Sequence, residues 1–90
     1  MMISERALKD TLAISIAEAV ALANEIATEA GVFGRPVWLS IQERTIEDGT
    51  VVWRISYIPV PPPGTFTRGG DYIVEINRED GTISRVLHGQ

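Results

Sequence analysis

The chain of 90 residues contains no cysteine. A disulfide framework, a thiolate nucleophile and a cysteine-ligated zinc site are therefore excluded. A chain without cysteine suits a reducing compartment, and the first residues lack the charged and apolar regions of a secretory signal. We therefore expect a cytoplasmic protein.

Basic residues are also few, with 8 Lys and Arg against 12 Asp and Glu, which gives a net charge of −4. Nucleic acids and anionic membranes need clustered Lys and Arg, so neither is expected as a partner. The most apolar stretch, residues 12–23, is interrupted by Glu18 and is too short to span a bilayer. A basic protein partner would suit the charge of this chain.

Histidine occurs once, as His88, close to the C-terminus. A Ser-His-Asp triad needs a firmly held histidine, and chain ends are usually mobile. No glycine-rich phosphate loop, no metal-ligand spacing and no carboxylate marked as desolvated is visible. The sequence therefore predicts no catalytic residue, no metal site and no cofactor, and the chain is not expected to be an enzyme.

What the chain does contain is the pattern of one small α+β domain, spanning residues 1–90. Residues 4–30 are rich in Ala, Leu and Glu and predict one long N-terminal helix, with Ser4 as N-cap and Gly31 as its stop. Asp10-Thr11 could cap a second start, in which case the helix is broken there. Apolar residues at helical spacing form one sector: Leu8, Leu12, Ile16, Val20, Leu22 and Ile26. After residue 36 the period changes to two, which predicts strands at about 37–45, 50–58, 71–78 and 82–88.

The run Glu-Asp-Gly-Thr occurs twice, at residues 47–50 and 79–82. An EF-hand needs oxygen ligands alternating over about twelve residues, which neither copy provides. Two three-residue hairpin loops with glycine in the left-handed region explain both copies. In the first hairpin Ile46 then faces Thr50, which places Leu39 opposite Tyr57, Ile41 opposite Ile55 and Gln42 opposite Arg54.

The second copy gives a similar register. Arg78 then faces Thr82, Val74 faces Val86, and Glu75 faces Arg85 as a cross-strand ion pair. The predicted architecture is one helix packed on a four-stranded antiparallel meander.

One face of this predicted sheet lacks a helix to cover it. Trp53, Ile55 and Tyr57 share the helix side, whereas Trp38 lies on the other side with Arg54. An apolar patch rimmed by charges predicts a binding surface. A homodimer or the long loop at residues 59–70 could cover this surface instead.

The loop at residues 59–70 is rich in proline. It is either a rigid spacer or a polyproline ligand for an aromatic groove. Phe66 and Arg68 at its tip would make good interface anchors. Together with the sheet face, the loop defines the predicted partner-binding residues: Trp38, Arg54, Phe66, Arg68, Glu75 and Arg85.

The C-terminal stretch GGDYIVEINREDGTISRVLHGQ, at residues 69–90, resembles the ending of small bacterial immunity proteins with a nuclear-transport-factor-2-like (cystatin-like) fold. That ending has Gly-Gly, an aromatic residue, an alternating strand, an acidic-Gly turn and Ile-x-Arg-Val-x-His-Gly. The matching residues are Gly69, Gly70, Tyr72, Glu75, Ile76, Asp80, Gly81, Ile83, Arg85, Val86, His88 and Gly89. Upstream, IAEAV at 16–20, FGRP at 33–36 and Trp53 fall where that family has its helix, a Gly, a Pro and a strand Trp.

The resemblance implies a cystatin-like fold and a function in protein binding, in which the chain neutralises a bacterial toxin by docking on it. With a charge of −4, a basic toxin such as a nuclease would be favoured. The hairpin also resembles that of PepSY-type inhibitory and regulatory domains. A third alternative is a small-ligand-binding domain of the cystatin-like superfamily that uses a cleft between helix and sheet.

Overall fold

The computed structural model describes residues 14–65 and 70–89. Within these ranges the elements are α1 (Ile16–Glu29), a 3-10 helix (Val32–Gly34), β1 (Val37–Thr45), β2 (Val51–Pro59), β3 (Tyr72–Asn77) and β4 (Ile83–His88). The strands form one sheet in the order β1-β2-β3-β4, and every neighbouring pair is antiparallel. The predicted α+β class, a helix on a four-stranded antiparallel sheet, is confirmed. No helix in the described ranges has the length and hydrophobicity to cross a membrane.

The start of α1 differs from the prediction of a helix over about residues 4–30, including the second start predicted as an alternative at Asp10-Thr11. The helix begins at Ile16, and Ser15 and Glu18 form a capping box in which the Ser15 side chain accepts a hydrogen bond from the Glu18 N–H. Ile14 precedes the N-cap and lies outside the helix, and its N–H donates to the carbonyl oxygen of Arg78 at 2.8 Å. Residues 4–13 of the predicted helix, with Ser4, lie outside the described residues. The helix ends as predicted, before Gly31 at φ 76°.

The buried residues of α1 are three alanines and not its large apolar residues. Ala19, Ala23 and Ala27 are fully buried in the core with Ile55 and Val74. Alanine lacks bulk beyond its methyl group, so the helix can lie close to the two central strands. The larger residues of the predicted apolar sector flank this contact: Val20, Leu22 and Ile26 are partly buried, and Ile16 is exposed.

The first hairpin has the predicted register. Ile41 pairs with Ile55 and Gln42 pairs with Arg54. The Ile46 N–H donates to the Thr50 carbonyl at 2.9 Å, and Gly49 adopts φ 87°. The alternation of apolar and polar residues, together with a glycine that takes positive φ at low cost, fixes this register.

The second hairpin differs from the prediction that Arg78 faces Thr82. The Asn77 N–H donates to the Thr82 carbonyl at 2.8 Å, which leaves the four residues 78–81 in the loop. Arg78 cannot pair with Thr82 because its N–H donates to the Val51 carbonyl and its carbonyl accepts from Ile14. A bulge after Glu75 then restores the predicted pairing with Arg85.

Each acidic run supplies a carboxylate to its own turn. Asp48 Oδ1 accepts the Thr50 N–H at 2.8 Å, and Asp80 Oδ1 accepts the N–H and hydroxyl of Thr82 at 2.9 and 2.8 Å. These hydrogen bonds hold the pKa of both carboxyl groups below its ordinary value. Within the described ranges no group of acidic, histidine or cysteine side chains has metal-binding geometry.

Candidate functional site

The sheet face turned away from α1, which we call the open face, carries a row of polar side chains that crosses all four strands. Gln42 on β1 pairs with Arg54 on β2, Arg54 pairs with Glu75 on β3, and Glu75 pairs with Arg85 on β4. We call these four residues the polar row. No described helix covers this face, because α1 packs on the opposite side, against the core residues of β2 and β3.

Glu75 is the centre of the polar row and is only 1% exposed. Its Oε1 accepts a hydrogen bond from Arg85 Nε at 2.5 Å, and its Oε2 lies 3.7 Å from Arg54 Nε. A buried carboxylate is costly unless it is paired, and here two guanidinium groups offset its charge. The hydrogen bond to Glu75 and the Glu75 charge in turn raise the pKa of Arg85.

The two arginines of the polar row are held to different degrees. Arg85 is hydrogen-bonded to the carboxylate, whereas Arg54 Nε is buried and has no hydrogen-bond partner within the described part of the chain. A buried donor left unpaired costs about 1–3 kcal/mol. Of the two guanidinium groups, only that of Arg85 has its Nε–H satisfied by the carboxylate.

The apolar part of the open face lies at its other end. Trp38, on β1, is 57% exposed and pairs with Ile58 on β2. Between Trp38 and the polar row runs a second row that contains Ser40, Ser56, Ile73 and Leu87. Since Trp38 and Gln42 are four residues apart on one strand, about 13 Å separates the exposed indole from the polar row.

A cleft of about 510 Å³ lies between the open face and the loop of the first hairpin. Its charged lining consists of three arginines and three carboxylates: Arg44, Arg54, Arg85, Glu47, Asp48 and Glu75. Glu75 and Asp48 are already engaged, by Arg85 and Thr50 respectively. The six formal charges of the lining therefore balance one another within the cleft.

The structure brings together three of the predicted site residues, Arg54, Glu75 and Arg85. Trp38 lies on the same face but two rows away. Phe66 and Arg68 lie outside the described residues. The prediction omitted Arg44, which lines the cleft. Strand alternation could have found Arg44, since it follows Gln42 by two residues and therefore shares its face.

A second cleft, of about 350 Å³, lies on the helix side near the C-terminal end of α1. Its lining includes Arg35, Tyr57, Tyr72 and His88. The ring centroids of Tyr57 and Tyr72 are 6.4 Å apart, and those of Tyr72 and His88 are 5.5 Å apart. The Tyr57 hydroxyl donates to Asn24 Oδ1 at 2.7 Å, and burial, with a smaller effect of Tyr72, raises the pKa of Tyr57 to about 12.

Compared with protein-family models, curated proteins and solved structures, the chain matches none.

Proposed function

We propose that this chain is a non-enzymatic protein-binding domain that docks on its partner through the open face, and that it is an immunity protein that neutralises a bacterial toxin. The observation that carries the proposal is the polar row, in which Glu75 is buried between Arg54 and Arg85, on the same face as the exposed Trp38. The toxin as partner follows from the resemblance of residues 69–90 to the immunity family.

The composition of the open face supports binding to a protein. Tryptophan and arginine are the residue types most enriched at energetic centres of interfaces, and both are present here. Arg85 is already fixed by its hydrogen bond to Glu75, so a partner that contacts it loses less side-chain entropy on binding. Among the large apolar side chains of the described residues, Trp38 has the highest exposed fraction, 57%, and a partner could bury it.

The charges refine the chemistry expected of the partner. The carboxylate of Glu75 is hidden, whereas the side chains of Arg54 and Arg85 are 21% and 53% exposed, so the polar row presents guanidinium groups to the outside. A partner therefore needs acidic side chains or carbonyl oxygens at this point. The charged residues of α1, Glu18, Glu25 and Glu29, are all acidic and exposed, and they can steer a basic partner before docking.

The tail that carries the family resemblance also contributes to the proposed face. Tyr72 packs edge-on against His88, and Glu75 binds Arg85, so these motif residues contact one another across β3 and β4. This bracing explains why the four residue types occur together at that spacing. Glu75 and Arg85 belong at once to the braced tail and to the polar row.

The test uses three tagged baits in a pull-down from source-cell lysate: the wild-type chain, Trp38→Asp and Phe33→Asp. Phe33 is a matched control, because it is 47% exposed but packs edge-on against Tyr57 on the helix side. The proposal predicts one stoichiometric partner with the wild type and Phe33→Asp and its loss with Trp38→Asp. Equal recovery with all three folded baits would show that the open face is not the docking surface.

The second cleft favours one other candidate function, the binding of a small aromatic anion. Tyr57 and Tyr72 provide ring faces, and Arg35 provides a charge that suits a carboxylate. A titration with 4-hydroxybenzoate, followed by NMR shifts of Tyr72 and His88, tests this function. Shifts that saturate in the wild type and Trp38→Asp but not in Arg35→Ala would support it, and no shift in the wild type would exclude this ligand class.

A further inference from the structure

Strand β1 forms one edge of the sheet, and its outward backbone groups can be identified. The Val60 N–H donates to the Pro36 carbonyl at 3.1 Å, and the Ile46 N–H donates to the Thr50 carbonyl at 2.9 Å. Hydrogen bonding alternates along an antiparallel pair. The even-numbered residues between Pro36 and Ile46 therefore direct their backbone N–H and C=O groups to β2. The odd-numbered residues, including Val37, Leu39 and Ile41, direct their N–H and C=O groups to the outer edge.

The two edges of the sheet are protected to different degrees. β4 has six residues, and its pairing with β3 is interrupted by a bulge, a feature that blunts an edge. β1 has nine residues, with no proline inside it and an unbroken register against β2. Leu39 and Ile41, on the helix side of β1, are 45% and 37% exposed. A long, regular and apolar edge is a template for a further strand.

We propose that β1 pairs antiparallel with β1 of a second copy of this chain, with the two Leu39 residues opposite each other. Val37 then faces Ile41 of the second copy, and Arg35 faces Glu43 of the second copy. Arg35 can extend the pairing because its backbone is already extended, at φ −146° and ψ 163°. About ten hydrogen bonds would join the copies into one eight-stranded sheet.

The register follows from charge and apolar matching. Centred on Leu39, the pairing has an apolar middle and an ion pair at each end. If the two-fold axis moves to Ser40, Glu43 faces Val37 instead. If it moves to Trp38, Ile41 faces Arg35. Glu43 is held at 3.2 Å by Arg78 Nη1 and is still half exposed, so it can also meet a second cation.

The geometry leaves room for both copies. Since α1 lies over β2 and β3, about four strand spacings, or about 20 Å, would separate the two helices. A helix with its side chains is about 10 Å wide, so the helices do not collide. The pairing places no described residue of the second copy on the open face, and the dimer therefore does not depend on the proposed function.

Sedimentation velocity over a range of concentrations tests the dimer. We expect the wild type to dimerise and Ile41→Pro to remain monomeric, because proline removes an outward N–H and leaves the hydrogen bonds to β2 intact. Leu39→Lys is also expected to be monomeric, whereas Ile83→Lys is expected to dimerise. Ile83 is the matched control, since it is 44% exposed and lies on the β4 edge. Circular dichroism confirms that each variant is folded.

A charge exchange tests the register. Arg35→Glu places two glutamates opposite each other at both ends of the pairing. It should raise the dissociation constant of the dimer by about tenfold or more. Adding Glu43→Arg to the same chain should restore most of that loss. A wild type that is monomeric at every concentration would overturn the proposal. So would a dimer that survives Ile41→Pro and is lost in Trp38→Asp, which would place the interface on the open face.

Discussion

Glu75 is the residue on which the polar row depends. Its carboxylate, 1% exposed, lies between Arg54 and Arg85. We expect Glu75→Gln to lower the free energy of unfolding by about 1–3 kcal/mol, because it leaves two neighbouring guanidinium groups without a counter-charge. Urea denaturation measures this change. Glu79→Gln, at an exposed loop position, is the control and should stay within about 0.5 kcal/mol of the wild type. An equally stable Glu75→Gln would mean that the carboxylate does not organise the row.

Tyr57 makes the free energy of unfolding depend on pH in the alkaline range. Burial raises its pKa in the folded chain to about 12 from an ordinary 10.0, so the folded state favours the protonated phenol. The stability this contributes is fully present below pH 10 and is lost as the pH rises from about 10 through 12. Unfolding free energies measured across this interval should fall more steeply for the wild type than for Tyr57→Phe. Identical slopes would contradict the assignment.

The same substitution has a second effect at neutral pH. Tyr57→Phe removes the hydrogen bond to Asn24 Oδ1 and should cost about 1 kcal/mol. The sequence predicted that Tyr57 faces the helix, since it alternates with Ser56 and Ile58. Its hydrogen bond to Asn24 was not predictable, because it depends on how α1 lies on the sheet.

The two Glu-Asp-Gly-Thr turns show how far local sequence determines an element. Both have a glycine at positive φ, as the repeated letters predicted, and in both the Asp carboxylate accepts a hydrogen bond from the Thr N–H, which was not predicted. The number of loop residues differs, because Arg78 bonds to Ile14 and Val51, which are distant in sequence. Identical runs therefore predict the same turn chemistry, whereas tertiary contacts decide the closing pair.

A matched pair of substitutions tests this difference between the turns. A methyl group at Gly49 would meet nothing within 4 Å, whereas one at Gly81 would lie 3.4 Å from Ile14 Cγ2 and 3.6 Å from Leu22 Cδ1. Both positions have positive φ, so Gly49→Ala should cost about 1–2 kcal/mol. Gly81→Ala should cost less than Gly49→Ala in thermal or urea unfolding, because both distances are ordinary van der Waals contacts and the added methyl group would be buried against Ile14 and Leu22. A larger cost at Gly81 would contradict the packing seen around the second turn.

The start of α1 and its buried face both differ from what helix propensity and hydrophobic periodicity predicted. Ser15 and Glu18 form a capping box, and their Ser-x-x-Glu spacing is visible in the sequence. The helix-forming residues further upstream nevertheless predicted an earlier start. The burial of Ala19, Ala23 and Ala27 was also missed, because hydrophobic periodicity gives weight to large residues. Close approach of a helix to a sheet favours small ones instead.

At the scale of the whole molecule, strand alternation predicted which residues share the open face. The two hairpin registers placed Gln42 beside Arg54 and Glu75 beside Arg85, whereas the pairing of Arg54 with Glu75 across β2 and β3 was not predicted. The near-complete burial of Glu75 and the cleft beside it could not be predicted from the sequence, because both depend on the conformations of several long side chains that pack against one another. Net charge alone suggested a basic partner, whereas the open face presents arginines and α1 presents the acidic residues.

The most direct measurement is growth of a bacterial host that expresses the partner captured by the wild-type chain. If the chain is an immunity protein acting through its open face, the partner alone should arrest growth. Co-expression of the wild type or Phe33→Asp should restore growth, and co-expression of Trp38→Asp should not. A partner that leaves growth unaffected, or a Trp38→Asp variant that protects as well as the wild type, would contradict the account.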